Sequence, residues 1–252
     1  MENYNKQLDE RFEEWEKESE IKNFFSDGLM FRGKMNEEKT WRYPGNENKQ
    51  WDEAPKRVMF LMKDVNAGED DLGDDDDVRG RIFKDTSVRI YRNMSYWLYG
   101  LLKTTENGQI PDFTFSVSEA TQFFDDTPVA YVNCKKEAGT SSVAHNTLVN
   151  HIKRDKKFLI EEIKILDPDI IVCCAWTESA GNPILKFIKE SVYQDIKEIN
   201  NWMYYSEKEN KLIIDSYHPT TPKSKNKEMY HNMMKAYKEF LDKYPDFKNS
   251  CR

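Results

Sequence analysis

Four short apolar runs, at 57–62 (RVMFLM), 129–134 (VAYVNC), 170–175 (IIVCCA) and 212–215 (LIID), constrain this chain more than any other feature. Each is rich in β-branched or bulky residues and too short for a helix. None alternates cleanly between apolar and polar, which is the pattern of strands covered on both faces. Helical patterns separate them. Val88, Tyr91, Met94, Trp97, Leu98 and Leu101 recur at three- and four-residue steps, predicting a helix over 87–102. Further helices are expected at 144–166, closed by Asp167-Pro168-Asp169, at 179–189 and at 227–243. Strands alternating with helices imply an α/β fold, a three-layer α/β/α sandwich around a central, mainly four-stranded parallel sheet. The segment WMYY (202–205) reads as an edge strand joined to the fourth run by the EKEN turn. Residues 1–54 read as a charged helix (5–24) and an irregular segment packed on the main body, and 55–252 as the α/β domain.

In open parallel sheets, ligands bind at the carboxyl ends of the strands. Those ends carry polar residues here. MKDVN places Lys63, Asp64 and Asn66 after the first run, Asn133 closes the second, Trp176-Thr177 follow the third, and SYHPTTP brings His218 after the fourth. Taken singly, each has a plain structural reading: a turn cap, a satisfied buried amide, a strand-exit turn. Taken together, a carboxylate that activates water, an amide that reads a base edge bidentately and an imidazole that hydrogen-bonds a developing anion suit hydrolysis with a planar, anionic leaving group. No GxSxG elbow accompanies Ser216, and no HExxH or comparable metal-ligand spacing occurs.

The order and spacing of these strand ends resemble the uracil-DNA glycosylase superfamily over about residues 55–240. MKDVN stands where that family has GQDPY, VAYVN resembles its LLLN, and HPT resembles the start of its HPSP. The resemblance implies that Asp64 activates the water attacking C1′ of the sugar and that His218 stabilises charge on the departing base through its O2. Asn133 would read the Watson–Crick edge, Lys63 and Asn66 would line the base, and Phe83 in GRIFKD would stack on it. Such enzymes act on a base taken out of the stack. Two departures matter. The family's Pro and Tyr are Val65 and Asn66 here, which opens the C5 side of a pyrimidine and points to 5-substituted or otherwise modified bases as well as uracil. HPTTPK also lacks the family's wedge leucine.

The activity implied is a monofunctional DNA glycosylase that leaves an abasic site, in repair or in defence against phage DNA. The alternatives are a catalytically silent nucleic-acid- or nucleotide-binding module on the same fold, or a hydrolase or transferase acting on free nucleosides. A net charge of −7 and a pI near 5.3 exclude a generally basic nucleic-acid binder, so contacts to DNA must be local. Lys135, Lys136, Thr220, Thr221 and Lys223 are the expected DNA-binding residues. The acidic run Asp70–Asp77 is expected to be a solvated loop that points away from DNA. Four cysteines without a CxxC pair predict a reduced cytoplasmic protein with no metal and no cofactor, including no iron–sulfur cluster. No membrane span or signal peptide is read, and the expected state is a monomer.

Overall fold

The computed structural model describes residues 3–21, 23–66, 77–81, 88–105, 107–139, 143–220 and 226–249. Its centre is a 7-stranded mixed sheet. The strands are β1 (Gly28–Leu29), β2 (Val58–Asn66), β3 (Val129–Gly139), β4 (Ile170–Trp176), β5 (Lys197–Glu198), β6 (Met203–Ser206) and β7 (Lys211–Tyr217), in the spatial order β1-β3-β2-β4-β7-β6-β5. The four strands built on the apolar runs are mutually parallel, while β1, β6 and β5 extend the sheet antiparallel on its two sides.

Side-chain alternation divides the core. Val58, Phe60 and Met62 of β2 join a cluster with Trp97 and Leu101 of α3 (Val88–Lys103) and with Tyr230 and Tyr237 of α8 (Asn226–Lys243). Met59 and Leu61 face the other way, toward α1 (Tyr4–Glu18), α6 (Lys156–Leu166) and α7 (Pro183–Phe187). All five β2 positions are fully buried, which explains the lack of polar alternation in the sequence. The N-terminal segment belongs to this body: Leu8, Phe12 and Trp15 of α1 are core residues, and β1 pairs with β3.

Several expectations need correction. The sheet has strands beyond the four parallel ones, and WMYY, as β6, lies inside β5 instead of at the edge. The helix expected over 144–166 is two, α5 (His145–Arg154) and α6, divided at Asp155. That carboxylate is fully buried, accepting from the Ser19 hydroxyl at 2.8 Å and from Arg154, contacts that hold the break and are invisible to helical periodicity. The irregular segment contains β1 and α2 (Glu47–Glu53), and α4 (Val117–Asp126) precedes β3. The EKEN turn does join β6 to β7, with Asn210 at φ 53, a left-handed position asparagine tolerates.

Candidate functional site at the carboxyl ends of the parallel strands

In chain order the parallel strands lie second-first-third-fourth (β3-β2-β4-β7), so the connections leave β2 and β4 in opposite directions. A crevice opens at such a reversal, at the carboxyl ends of the strands. Pairing of β2 with β4 stops at Leu61↔Cys173, whereas pairing with β3 continues through Asp64↔Lys135 to Asn66↔Gly139. The polar tails of the first two runs are therefore not loops: they extend as a two-stranded ribbon past β4, and Asp64 stands on that ribbon.

Asp64 is half-buried, and its Oδ2 has no hydrogen-bond partner among the described residues. Burial pushes its carboxyl up to about 6, against the opposing pull of Lys135 and then Lys63. A group of this kind is ionised at neutral pH yet far more basic than an ordinary aspartate. Gly139 is required beside it, because a Cβ there would lie 2.0 Å from Oδ2. Lys135 is buried and donates to the Glu137 carbonyl at 2.9 Å, and burial lowers the basicity of both Lys63 and Lys135.

His218 follows β7 in a turn held from α3: Asn93 Nδ2 donates to the Pro219 carbonyl at 2.5 Å and Arg89 reaches the Thr220 carbonyl at 3.4 Å. The Thr220 backbone N–H donates to His218 Nδ1 at 3.3 Å, and the Thr220 hydroxyl lies 2.6 Å from the same nitrogen. Nδ1 is thereby an acceptor, which assigns the ring proton to Nε2. Burial, with Lys63 adding repulsion, drives His218 down to about 3, so the ring is neutral across the physiological range. Lys63 acts electrostatically on both Asp64 and His218.

Asn133 is fully buried and held by Asp27: its backbone N–H donates to Asp27 Oδ2 at 2.7 Å and its Nδ2 to the same oxygen at 3.1 Å. A carboxylate accepts only, so the amide orientation is fixed, with one of the two Nδ2 N–H groups engaged by Asp27. Oδ1 remains without a partner. Oδ1, Asp64 Oδ2 and the Ser216 hydroxyl are buried polar atoms without a partner among the described residues, on three of the four parallel strands and near their carboxyl ends. Such atoms are rare in folded proteins and mark places where a ligand or water completes the bonding.

Lys136 is also corrected. It is fully buried on the other face, paired with Asp27 and, at 2.8 Å, with Glu162, and its ammonium lies 5.2 and 5.0 Å from the Phe12 and Trp15 ring centres. It cannot reach a phosphate from there; instead it ties α1, β1 and α6 to β3. Burial raises Glu162 well above the ordinary carboxylate range, and the two acids hold Lys136 charged. Thr220 is held against His218 by its hydroxyl. Phe83, Thr221 and Lys223 lie outside the described residues, as does the Asn66 side chain. Of the acidic run, Asp77 is described, and it is bonded to Arg79.

Sequence reading missed Asp27, Gly139, Arg89 and Asn93. Only Asn93 left a signal, as a polar residue next to the apolar stripe of α3. Among the described residues no group of three His, Cys, Asp or Glu could hold a metal ion, and no helix is long and apolar enough to cross a membrane. Cys134, Cys173 and Cys174 are buried, and burial pushes their thiols up, away from nucleophilic use. No protein-family model matches the chain, and no curated protein matches it significantly.

Proposed function

We propose that the protein is a monofunctional glycosylase acting on DNA, hydrolysing the N-glycosidic bond of a uracil or modified pyrimidine drawn out of the stack. The observation that carries this reading is the pairing of opposite acid–base roles at one site: a carboxylate raised to about 6 and an imidazole lowered to about 3 with its proton on Nε2. Asp64 takes the proton of a water as that water's oxygen bonds to C1′. The C1′–N1 electron pair departs with the base, and His218 Nε2–H donates to the base oxygen on which the charge collects. A neutral donor suits this task, since it stabilises the anion without having to give up its proton.

Asn133 accepts from a ring or exocyclic N–H of the base through Oδ1. Oδ1 is closed to solvent in this structure. A silent binding module would have no use for a carboxylate held partly desolvated beside an unfilled oxygen, which favours the hydrolytic reading.

The test uses oligonucleotides carrying uracil, thymine, 5-hydroxymethylcytosine or its glucosylated form, scored for alkali-sensitive sites. Cleavage at one of these, abolished in Asp64→Asn and His218→Ala, supports the reading. No cleavage at any of them, with the protein folded and bound to the strand, refutes it.

A further inference from the structure

An arginine-lined hollow lies away from Asp64, where the chain leaving β1 meets the end of α4 and the start of α3. Its charges do not balance. Arg79 is satisfied, bonded to Asp77 and lying 2.8 Å from Asp9. Arg32 is not paired with a carboxylate: its guanidinium donates to the backbone carbonyls of Phe31, Phe124 and Thr127. Arg42 approaches Asp125 only to 3.9 Å. The Arg81 guanidinium has no hydrogen bond or ion pair among the described residues and lies 5.8 Å from the centre of the Phe25 ring. Among the described residues Arg42–Asp125 is thus the one ion pair these three guanidinium groups make, on a protein whose net charge is −7. Burial lowers Arg32 to about 10, with Asp125 the largest opposing influence, as expected of a cation whose charge is incompletely met.

We infer that Arg32, Arg42 and Arg81 form an anion site that takes a phosphate group across the mouth of this hollow. The enclosed space is about 10 Å³, room for a single water, so the phosphate sits outside it. Half-buried Arg42 and Arg81 present their N–H groups to it, and Arg32 stands behind as a fixed charge. Guanidinium forks match phosphate oxygens in pairs, and an unpaired partly buried arginine is the form in which such a site waits for its ligand. Arg81 and Asp64 both act electrostatically on the buried Tyr131 hydroxyl of β3, which burial raises. Taken with the glycosylase reading, on which this last step rests, the phosphate is a phosphodiester of the strand that carries the target base. A free nucleotide offers the same chemistry, and the experiment separates the two.

Labelled oligonucleotide is titrated against the full chain at several salt concentrations, by fluorescence anisotropy, and pyrophosphate is titrated separately by thermal shift. Removing one arginine–phosphate pair lowers the slope of log K against log salt by about 0.7 on single strands and about 0.9 on duplex. Arg81→Ala and Arg42→Ala are expected to lower it by about that amount each. Asp125→Asn is expected to tighten binding severalfold, a gain that misfolding cannot imitate, and Arg81→Lys to keep the slope while weakening affinity. Arg11→Ala, on the exposed face of α1, serves as the control and should change nothing. Oligonucleotide binding whose slope is the same in wild type, Arg81→Ala and Arg42→Ala overturns the site. Pyrophosphate protection that requires Arg81, in a protein that binds no oligonucleotide, upholds the site, assigns it to a free nucleotide and counts against the glycosylase reading. Absence of both kinds of binding overturns it.

Discussion

Asp64→Asn should make the protein more stable at neutral pH relative to acid, even as it removes the group assigned to activate water. Burial raises the carboxyl from 3.8 to about 6. The folded state therefore holds this proton more tightly than the unfolded chain does. The resulting stabilisation is fully present below about pH 4 and is lost as pH rises through about 6. Each pKa unit corresponds to about 1.4 kcal/mol, giving about 3 kcal/mol, reduced to about 2 kcal/mol because the side chain is only partly buried. Urea unfolding of wild type and Asp64→Asn between pH 4 and pH 8 isolates this quantity. Asp215, also raised to about 6 by burial, titrates equally in both proteins and cancels. Any fixed cost of the new buried amide shifts the difference equally at every pH. The stability of the variant minus that of wild type should grow by about 2 kcal/mol across the range, about 0.7 M in urea midpoint for a slope of about 3 kcal/mol per M. A difference that stays flat with pH would show that Asp64 is not desolvated as described and would remove the basis for its role as a base.

Three further outcomes are expected. The pH profile of kcat/KM should rise about tenfold for each unit below about pH 6 and level off above it. It should show no limb from His218, already neutral near pH 4 because its value lies near 3. Gly139→Ala, whose Cβ would meet Asp64 Oδ2 at 2.0 Å and the Val65 carbonyl oxygen at 3.0 Å, should displace the carboxylate and lower activity at least tenfold. Urea unfolding should show a cost of only about 1–3 kcal/mol for that variant. Asp27→Asn strips Lys136 of its closest partner in a fully buried pair and should cost about 3–5 kcal/mol in urea unfolding, with Asp27→Asn/Lys136→Met recovering part of the loss.

The parallel core was legible because doubly covered strands cannot hide: RVMFLM and IIVCCA have no polar alternation, and nothing but a buried strand needs that at such a length. The polar ends were legible for the complementary reason that lysine, aspartate and asparagine are out of place beside such runs. The continuation of β2 and β3 through MKDVN and CKKEAG was not, since Lys, Asp and Asn are poor strand formers and only their pairing with each other extends them. Lys136 read as a surface cation because its two carboxylate partners come from positions 27 and 162, far away in sequence. Asp27 falls in the segment read only as irregular, and its grip on Asn133 is purely tertiary. His218 could be located from HPTT, but its tautomer depended on the Thr220 backbone N–H.

The most direct test of the central claim is a single-turnover assay of free base released from a modified-pyrimidine oligonucleotide, comparing wild type with Asp64→Asn and His218→Ala at equal saturation. Release of the intact base is expected, with one abasic site per base. No borohydride-trapped protein–DNA adduct should form, and each variant should lose at least about a hundredfold in rate while strand affinity is retained. Release that persists undiminished in Asp64→Asn, or a trapped covalent adduct, would contradict that claim.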